Sequence, residues 1–338
     1  MSNNLDLNYS IIDDYIIFKP DYNEPLDNYN DIIKKYKKII FSNFSNLNLA
    51  IILDNNFELD KENFSRNNFN QEIELKKYKN LEYLNLSNWF NKKIDVSNNL
   101  KLEYLSFGTN FNQKIDLSKN KKLKYLRFGV NFIQEIDLSK NKQLKYLSFD
   151  YTPSYFSDGY YINYNIDLSN NDNLETLILN ANYNNIIDLS NNNKLKKLVL
   201  GYNFNQEIDL SKNNNLIYLT IGKKFNKNLI IPLSVKSLVL YGCYNQFIID
   251  NLHNNIEELS IINCRCEYDL NNLPNSLKKL IIKDYLYDLN NLPNSIEYLE
   301  FNMNLVKIQK KPKNLKTIKC KFYYTYIDEF KNYEVIYF

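Results

Sequence analysis

Residues that carry chemistry are scarce in this chain. Its 338 residues include one histidine, four cysteines, six glycines, two methionines and one tryptophan. The lone His253 has no second histidine with which to build a metal site, and no Ser-His-Asp order or paired-carboxylate motif stands out beside it. Cys264-x-Cys266 has the wrong spacing for a zinc knuckle, and four cysteines are too few for a disulfide scaffold. Six glycines supply neither of the glycine motifs that cradle phosphates. No enzyme activity, cofactor or resident metal is therefore expected. No apolar run reaches the ~18 residues that suggest a membrane span. The start, Met1-Ser2-Asn3-Asn4-Leu5-Asp6, lacks the basic and apolar regions of a secretory signal. An intracellular, reduced protein with no membrane partner is the simplest reading. The net charge of +3 implies no global electrostatic partner. Asn, Lys, Ile, Tyr and Phe are abundant and share A/T-rich codons, so their abundance alone says little about function.

What the chain has is a period. Leu81-x-x-Leu84-x-Leu86 returns 21 residues later as Leu102-x-x-Leu105-x-Phe107, then as Leu123-x-x-Leu126-x-Phe128 and Leu144-x-x-Leu147-x-Phe149. After a gap of 30 residues the same grammar resumes at Leu174, Leu195 and Leu216, and continues from Val235, Ile256, Leu277, Ile296 and Leu315. Self-similarity at this length predicts a stacked solenoid, mainly β, with a curved parallel sheet. Leu102 to Phe107 alternates inward apolar with outward polar positions, as a half-buried strand does. Ile115-Asp116-Leu117-Ser118 alternates again and predicts a shorter inward-facing segment on the opposite wall. Leu84, Leu105, Leu126, Leu147, Leu177, Leu198 and Leu219 should form one buried column.

The ends depart from the period. In residues 1–46, Ile32, Ile33, Tyr36, Ile39 and Ile40 fall at helical spacing and predict one amphipathic helix in an N-terminal cap. An adaptor module is the alternative for this region. Leu47 to Leu53 suggests a first strand, the repeats occupy 47–319, and 320–338 reads as a C-terminal cap.

The pattern Leu-x-x-Leu-x-Leu/Phe-x-x-Asn/Cys resembles the leucine-rich repeat. Asn110, Asn131, Asn182 and Asn203, and Cys243 and Cys264, stand where that family places a turn residue; the family's asparagine bonds neighbouring backbone groups. The closer resemblance is to the FNIP-repeat type, found mainly in social amoebae and giant viruses of amoebae. Its hallmark appears as Phe90-Asn91-Lys92-Lys93-Ile94, Phe111-Asn112-Gln113-Lys114-Ile115 and Phe204-Asn205-Gln206-Glu207-Ile208. Leu273-Pro274-Asn275-Ser276-Leu277 and Leu292-Pro293-Asn294-Ser295-Ile296 match its lead-in segment. The middle repeats depart from it, with Asp-Leu-Ser in place of the proline segment. The resemblance implies a protein-binding or unassigned role, within the host cytoplasm if the source is viral.

Several constellations are candidates for function. The outward strand position two residues after each anchor holds Tyr83, Tyr104, Tyr125 and Tyr146, which would stand on the concave strand face. Four aromatic rings there offer a candidate protein-binding row, or a ladder that only stabilises the sheet. Asp95, Asp116, Asp137, Asp167, Asp188 and Asp209 recur in register, each with an Asn four residues on. That spacing resembles the start of a calcium loop, but the required glycine and later glutamate are missing, so turn-forming Asx caps are the better account. The insertion Tyr151 to Gly159 reads as a surface loop. Seven lysines from Lys307 to Lys321 offer phosphates a basic patch; with Arg nearly absent, nucleic acid is the lesser alternative. The leading expectation is a non-catalytic protein-interaction module, with a structural component of a virion or assembly as its rival.

Overall fold

The computed structural model describes residues 8–19, 21–41, 68–150, 165–242, 245–263 and 270–338. The chain forms two compact units, Met1–Thr152 with Ile166–Leu174, and Pro153–Asn165 with Glu175–Phe338. Each is a β-solenoid whose coils take about 21 residues.

In the first unit the strands are β1 (Tyr9–Ile12), β2 (Tyr15–Phe18), β3 (Lys38–Phe41), β4 (Tyr83–Asn85), β5 (Tyr104–Ser106), β6 (Tyr125–Phe128) and β7 (Tyr146–Phe149). β1 and β2 form an antiparallel hairpin whose turn uses Asp13 at φ 50, a conformation that Asp tolerates better than most residues. Every later pairing in this unit is parallel and in register, with Leu84 opposite Leu105, Leu105 opposite Leu126 and Leu126 opposite Leu147. The second unit repeats the scheme with β8 (Thr176–Ile178), β9 (Lys197–Val199), β10 (Tyr218–Ile221), β11 (Ser237–Tyr241), β12 (Glu258–Ile262), β13 (Lys279–Ile282), β14 (Tyr298–Phe301), β15 (Thr317–Cys320) and β16 (Glu334–Tyr337). These are also parallel, and Leu177, Leu198 and Leu219 stack across them.

The core lies inside each coil. The seven leucines of the expected column are fully buried, as are the anchors from Leu81 to Ile296. Ile318 continues the leucine column in β15, and Cys320, two residues on, is a buried free thiol. Among the described residues the opposite wall, including 115–118, forms no strand, only an isolated parallel bridge at Leu289 and Ile308; Leu117 turns inward there while Asp116 stays exposed. In the turns between the two walls Phe69, Phe90, Phe111 and Phe132 are fully buried, with successive rings 6.1 Å apart and 3–12° from parallel, and Phe111 and Phe132 lie against Phe107 and Phe128 at the strand ends at 3.8 and 3.9 Å. Rings this nearly parallel report the spacing of the coils at their own distance from the strands. The strand wall is fixed near ~4.8 Å by its hydrogen bonds. Each coil of the first unit is therefore a wedge, thin at the strand wall, so the strand face lies inside the bend.

Close stacking also fixes glycine. A Cβ on Gly129 would stand 2.2 Å from the Gly108 carbonyl oxygen, and one on Gly201 2.0 Å from that of Asn180. Both glycines directly follow the third inward position of a strand, where one coil turns over the backbone of the last.

The N-terminal helix is shorter than the spacing predicts: a 3-10 helix at Leu26–Tyr29 runs into an α-helical turn at Asn30–Ile33, and Ile39 and Ile40 belong to β3. β3 is buried on both faces, its inward Ile39 in the core and its outward Ile40 beneath a cluster containing Tyr15 and Tyr83. A short apolar run covered on both sides shows no strand alternation, and so it mimics a helix. The strand expected at Leu47 to Leu53 lies outside the described residues.

Candidate functional site

Strand geometry brings the four tyrosines together as the sequence implies. Tyr83 and Tyr104 stack at 3.9 Å and 11°, Tyr104 and Tyr125 at 4.1 Å and 9°, and Tyr125 and Tyr146 at 4.1 Å and 9°. The rings lean closer than the strands that carry them, as a face inside a bend requires. Tyr15 abuts the near end, edge-on to Tyr83 at 5.6 Å. The consequence is burial: Tyr83, Tyr104 and Tyr125 retain only 8, 7 and 8% exposure, and Tyr146 is the most open of the four. Burial pushes all four phenols above their ordinary pKa, Tyr83 and Tyr125 well above it.

A polar row runs beside the rings. Asn85, Ser106 and Ser148 are buried at the next outward position, and Arg127 lies among them. Its Nε and Nη2 donate to the two Asp150 carboxylate oxygens at 2.8 and 2.6 Å. Burial opposes the Arg127 charge, yet Asp150 holds its pKa above the ordinary value. A bidentate pair of this kind fixes direction as well as charge.

The strand face of the second unit is built differently. In register, the outward positions carry Ile178, Val199, Thr220, Val239, Ser260 and Ile281, half-buried apart from the buried Val199, with half-buried Tyr241 and Ile262 two residues further along β11 and β12, while the positions between them are buried in the core. Tyr218 stands 52% exposed beside them. At the far end Glu300 meets Lys283 at 3.0 Å, Lys319 at 3.6 Å and the Tyr298 hydroxyl at 2.9 Å. Burial raises the Glu300 pKa, but the Lys283 and Tyr298 hydrogen bonds and the two lysine charges outweigh it, so the net shift is downward.

Other sequence candidates resolve into structure. Each aspartate of the recurring row accepts, through Oδ1, the N–H two residues on at 2.8–2.9 Å, forming Asx turns. The asparagine four residues on is the residue that sequence reasoning missed. Asn99, Asn120 and Asn141 are fully buried, and each Nδ2 donates to two carbonyls of the preceding coil, such as Val96 and Asn99 for Asn120. Its recurrence is visible in the sequence, but the spacing suggests local Asx caps rather than bonding from coil to coil. Asn110, Asn131, Asn182 and Asn203, expected to bond backbone, instead pair side chain to side chain: Asn131 donates to Asn110 at 3.2 Å and Asn203 to Asn182 at 2.9 Å.

His253 bonds the Pro232 carbonyl through Nε2 at 2.9 Å and accepts Asn255 N–H on Nδ1 at 3.2 Å, which makes it a brace between coils. Among the described residues three of the seven terminal lysines are ion-paired, Lys311 with Glu329, Lys316 with Glu297 and Lys319 with Glu300. Cys243, Cys264, Cys266 and the insertion Tyr151 to Gly159 lie outside the described residues. Among the described residues no helix is long and apolar enough to cross a membrane, and no group of three His, Cys, Asp or Glu side chains is placed to hold a metal ion.

Comparison with known proteins places the architecture. No protein-family profile and no curated protein matches the chain. Among solved structures, CroV588, a circular leucine-rich-repeat protein, aligns at 23% identity and a TM-score of 0.55, over 93% of this chain. This chain spans only 41% of that protein. An internalin, InlF of Listeria monocytogenes, aligns at 18% identity and a TM-score of 0.47 over 80% of this chain and 84% of its own. InlJ of the same bacterium aligns at 17% identity and a TM-score of 0.42 over 76% of this chain and 62% of its own. The chain has the fold of the leucine-rich-repeat proteins.

Proposed function

We propose that this chain is a non-catalytic protein-interaction module whose partner docks on the strand face. The observation that carries this reading is the half-exposed apolar surface on the second unit, from Ile178 through Val239 and Tyr241 to Ile281, flanked by Tyr218. Solvent-facing strand positions normally carry polar side chains, and aromatic and β-branched groups there offer area that a partner can cover. A solenoid supplies the long ordered platform on which such a surface is useful. The row Tyr83, Tyr104, Tyr125 and Tyr146 on the first unit is a separate candidate surface in this reading, with Tyr146 as its most open ring. We also read the chain as an intracellular FNIP-type repeat protein. The burial of Phe90, Phe111 and Phe204, the first residues of its Phe-Asn-x-x-Ile segments, supports that type, and the free buried thiol of Cys320 suits a reducing compartment. Residues 1–46 and 320–338 are proposed to act as the caps of the array.

The test is capture of proteins from amoebal extracts on the immobilised chain, followed by mass spectrometry and affinity measurement on what is found. The double variant Tyr218→Ala, Ile281→Lys should weaken the captured partner by roughly 10²-fold, as truncating hot-spot residues does, with an unchanged melting temperature. Tyr104→Ala with Tyr125→Ala should instead lower the melting temperature. Partner binding that survives the first variant removes the strand face as the docking site.

A further inference from the structure

The turn that leaves each strand is polar in the central coils. Asn91 Oδ1 accepts Asn112 N–H and Gln113 Nε2, both at 3.0 Å, and Asn205 Oδ1 accepts Asn226 N–H at 2.9 Å. In the turns after β13 and β14 that role falls to Asp288, whose carboxylate accepts Lys307 N–H at 2.8 Å and Gln309 Nε2 at 3.1 Å. In the turns after β13, β14 and β15 Leu286, Leu305 and Phe322 stand 67, 75 and 71% exposed, with Tyr287 and Tyr323 also open to solvent. An exposed apolar cluster confined to three successive turns of a repeat is a departure that calls for a partner.

The cluster borders a cleft of about 600 Å³, within the roughly 300–1,000 Å³ usual for ligand sites. Buried Tyr285, Met303 and Val306 line it together with exposed Leu286 and Leu305, and Lys321 completes it on one side. No strand residue lines this cleft, so it is independent of the strand face. Its single carboxylate, Asp284, is bonded by Asn302, whose Nδ2 donates to Asp284 Oδ1 at 3.0 Å and whose Oδ1 accepts the Asp284 N–H at 2.8 Å. Lys321 rests 5.5 Å from the Tyr323 ring, and Lys307, next to Val306, rests 5.8 Å from the Tyr326 ring. Among the described residues neither ammonium has an ion-pair partner. Seven lysines and no acidic residue occur between Phe301 and Ile327.

We propose that this cleft binds an acidic peptide segment of a protein partner, which buries one large apolar side chain against Tyr285, Met303 and Val306 while its carboxylates meet Lys321 and Lys307. A recess favours an inserted side chain over a planar lipid surface, and the uncompensated ammonium groups set the sign of the partner's charge.

The test uses a fluorescent synthetic peptide with a central Leu-Phe pair between runs of glutamate, read by anisotropy against the full chain. Saturable binding is expected, weakening with salt and falling at least tenfold in Leu305→Asp and in Lys321→Glu. The exposure of Leu305 allows that substitution to leave the melting temperature unchanged; Leu286→Asp is the second variant should it not. Tyr218→Ala should have no effect, which separates this cleft from the strand face. No saturable binding, equal binding of a peptide with lysine in place of glutamate, or binding indifferent to both cleft variants overturns the proposal. Sedimentation with phosphatidylserine vesicles that these substitutions abolish, without peptide binding, assigns the surface to a membrane and also overturns it.

Discussion

Asn120 joins its coil to the previous one through a single amide nitrogen, which donates to Val96 O and Asn99 O at 3.0 Å each. Its Oδ1 is sealed from solvent and accepts no hydrogen bond among the described residues, so the amino group supplies the whole benefit. Asn120→Ala should cost about 2–4 kcal/mol, because two buried carbonyls lose a donor. Asn120→Asp should cost more, since it turns a carboxylate toward those carbonyls and buries a charge. Urea denaturation measures both; equal stability of wild type and Asn120→Ala would show that water replaces the amide. The position was visible in the sequence as an Asn recurring four residues after each Asp. Its role was hidden, because a polar residue among Lys and Ser gives no local sign of burial. Only the closure of the coil places it over the backbone of its neighbour.

The tyrosine row shows what one element adds. Register alone places the four rings on one face, which the sequence states through their 21-residue spacing. How far they bury one another depends on the bend of the coils, which goes with the 6.1 Å spacing of Phe90, Phe111 and Phe132 in the turns and carries no sign in the tyrosine spacing. Desolvation raises these phenols above the ordinary value of 10.0. A raised folded-state pKa means that the stability is fully present below about pH 10 and is lost as pH climbs toward the folded values. The buried phenols should therefore ionise together with unfolding, later than free tyrosine, in an alkaline titration that follows phenolate absorbance and circular dichroism. Tyr104→Phe with Tyr125→Phe keeps the stack and removes two ionisations, so it should unfold at higher pH. Normal titration of every tyrosine with the fold intact would contradict the burial.

At the scale of the whole molecule the sequence is most legible where one rule repeats and least legible where the rule stops. The leucine column, parallel pairing and coil length follow from the period, and the 30-residue spacing between Leu144 and Leu174 falls where the two compact units divide. The antiparallel β1–β2 hairpin and strand β3 escape it, because a terminal coil has no second copy to be compared with. Repetition also governs how damage spreads. Leu126 is fully buried between Leu105 and Leu147, and burying each such side chain contributes roughly 1.5–3 kcal/mol. Leu126→Asp removes that contribution and adds an unpaired charge to the core. In a stack held by nearest-neighbour contacts, the loss should be greatest in β5, β6 and β7 and should fade toward β2 and β3. Hydrogen exchange read by mass spectrometry resolves this: amide protection should collapse from Tyr104 to Phe149 and persist in Tyr15–Phe18. Equal loss of protection across all of Tyr9–Phe149 would show instead that the first unit unfolds as one cooperative block, in which the phenylalanine and asparagine columns couple the coils more strongly than pairwise stacking does.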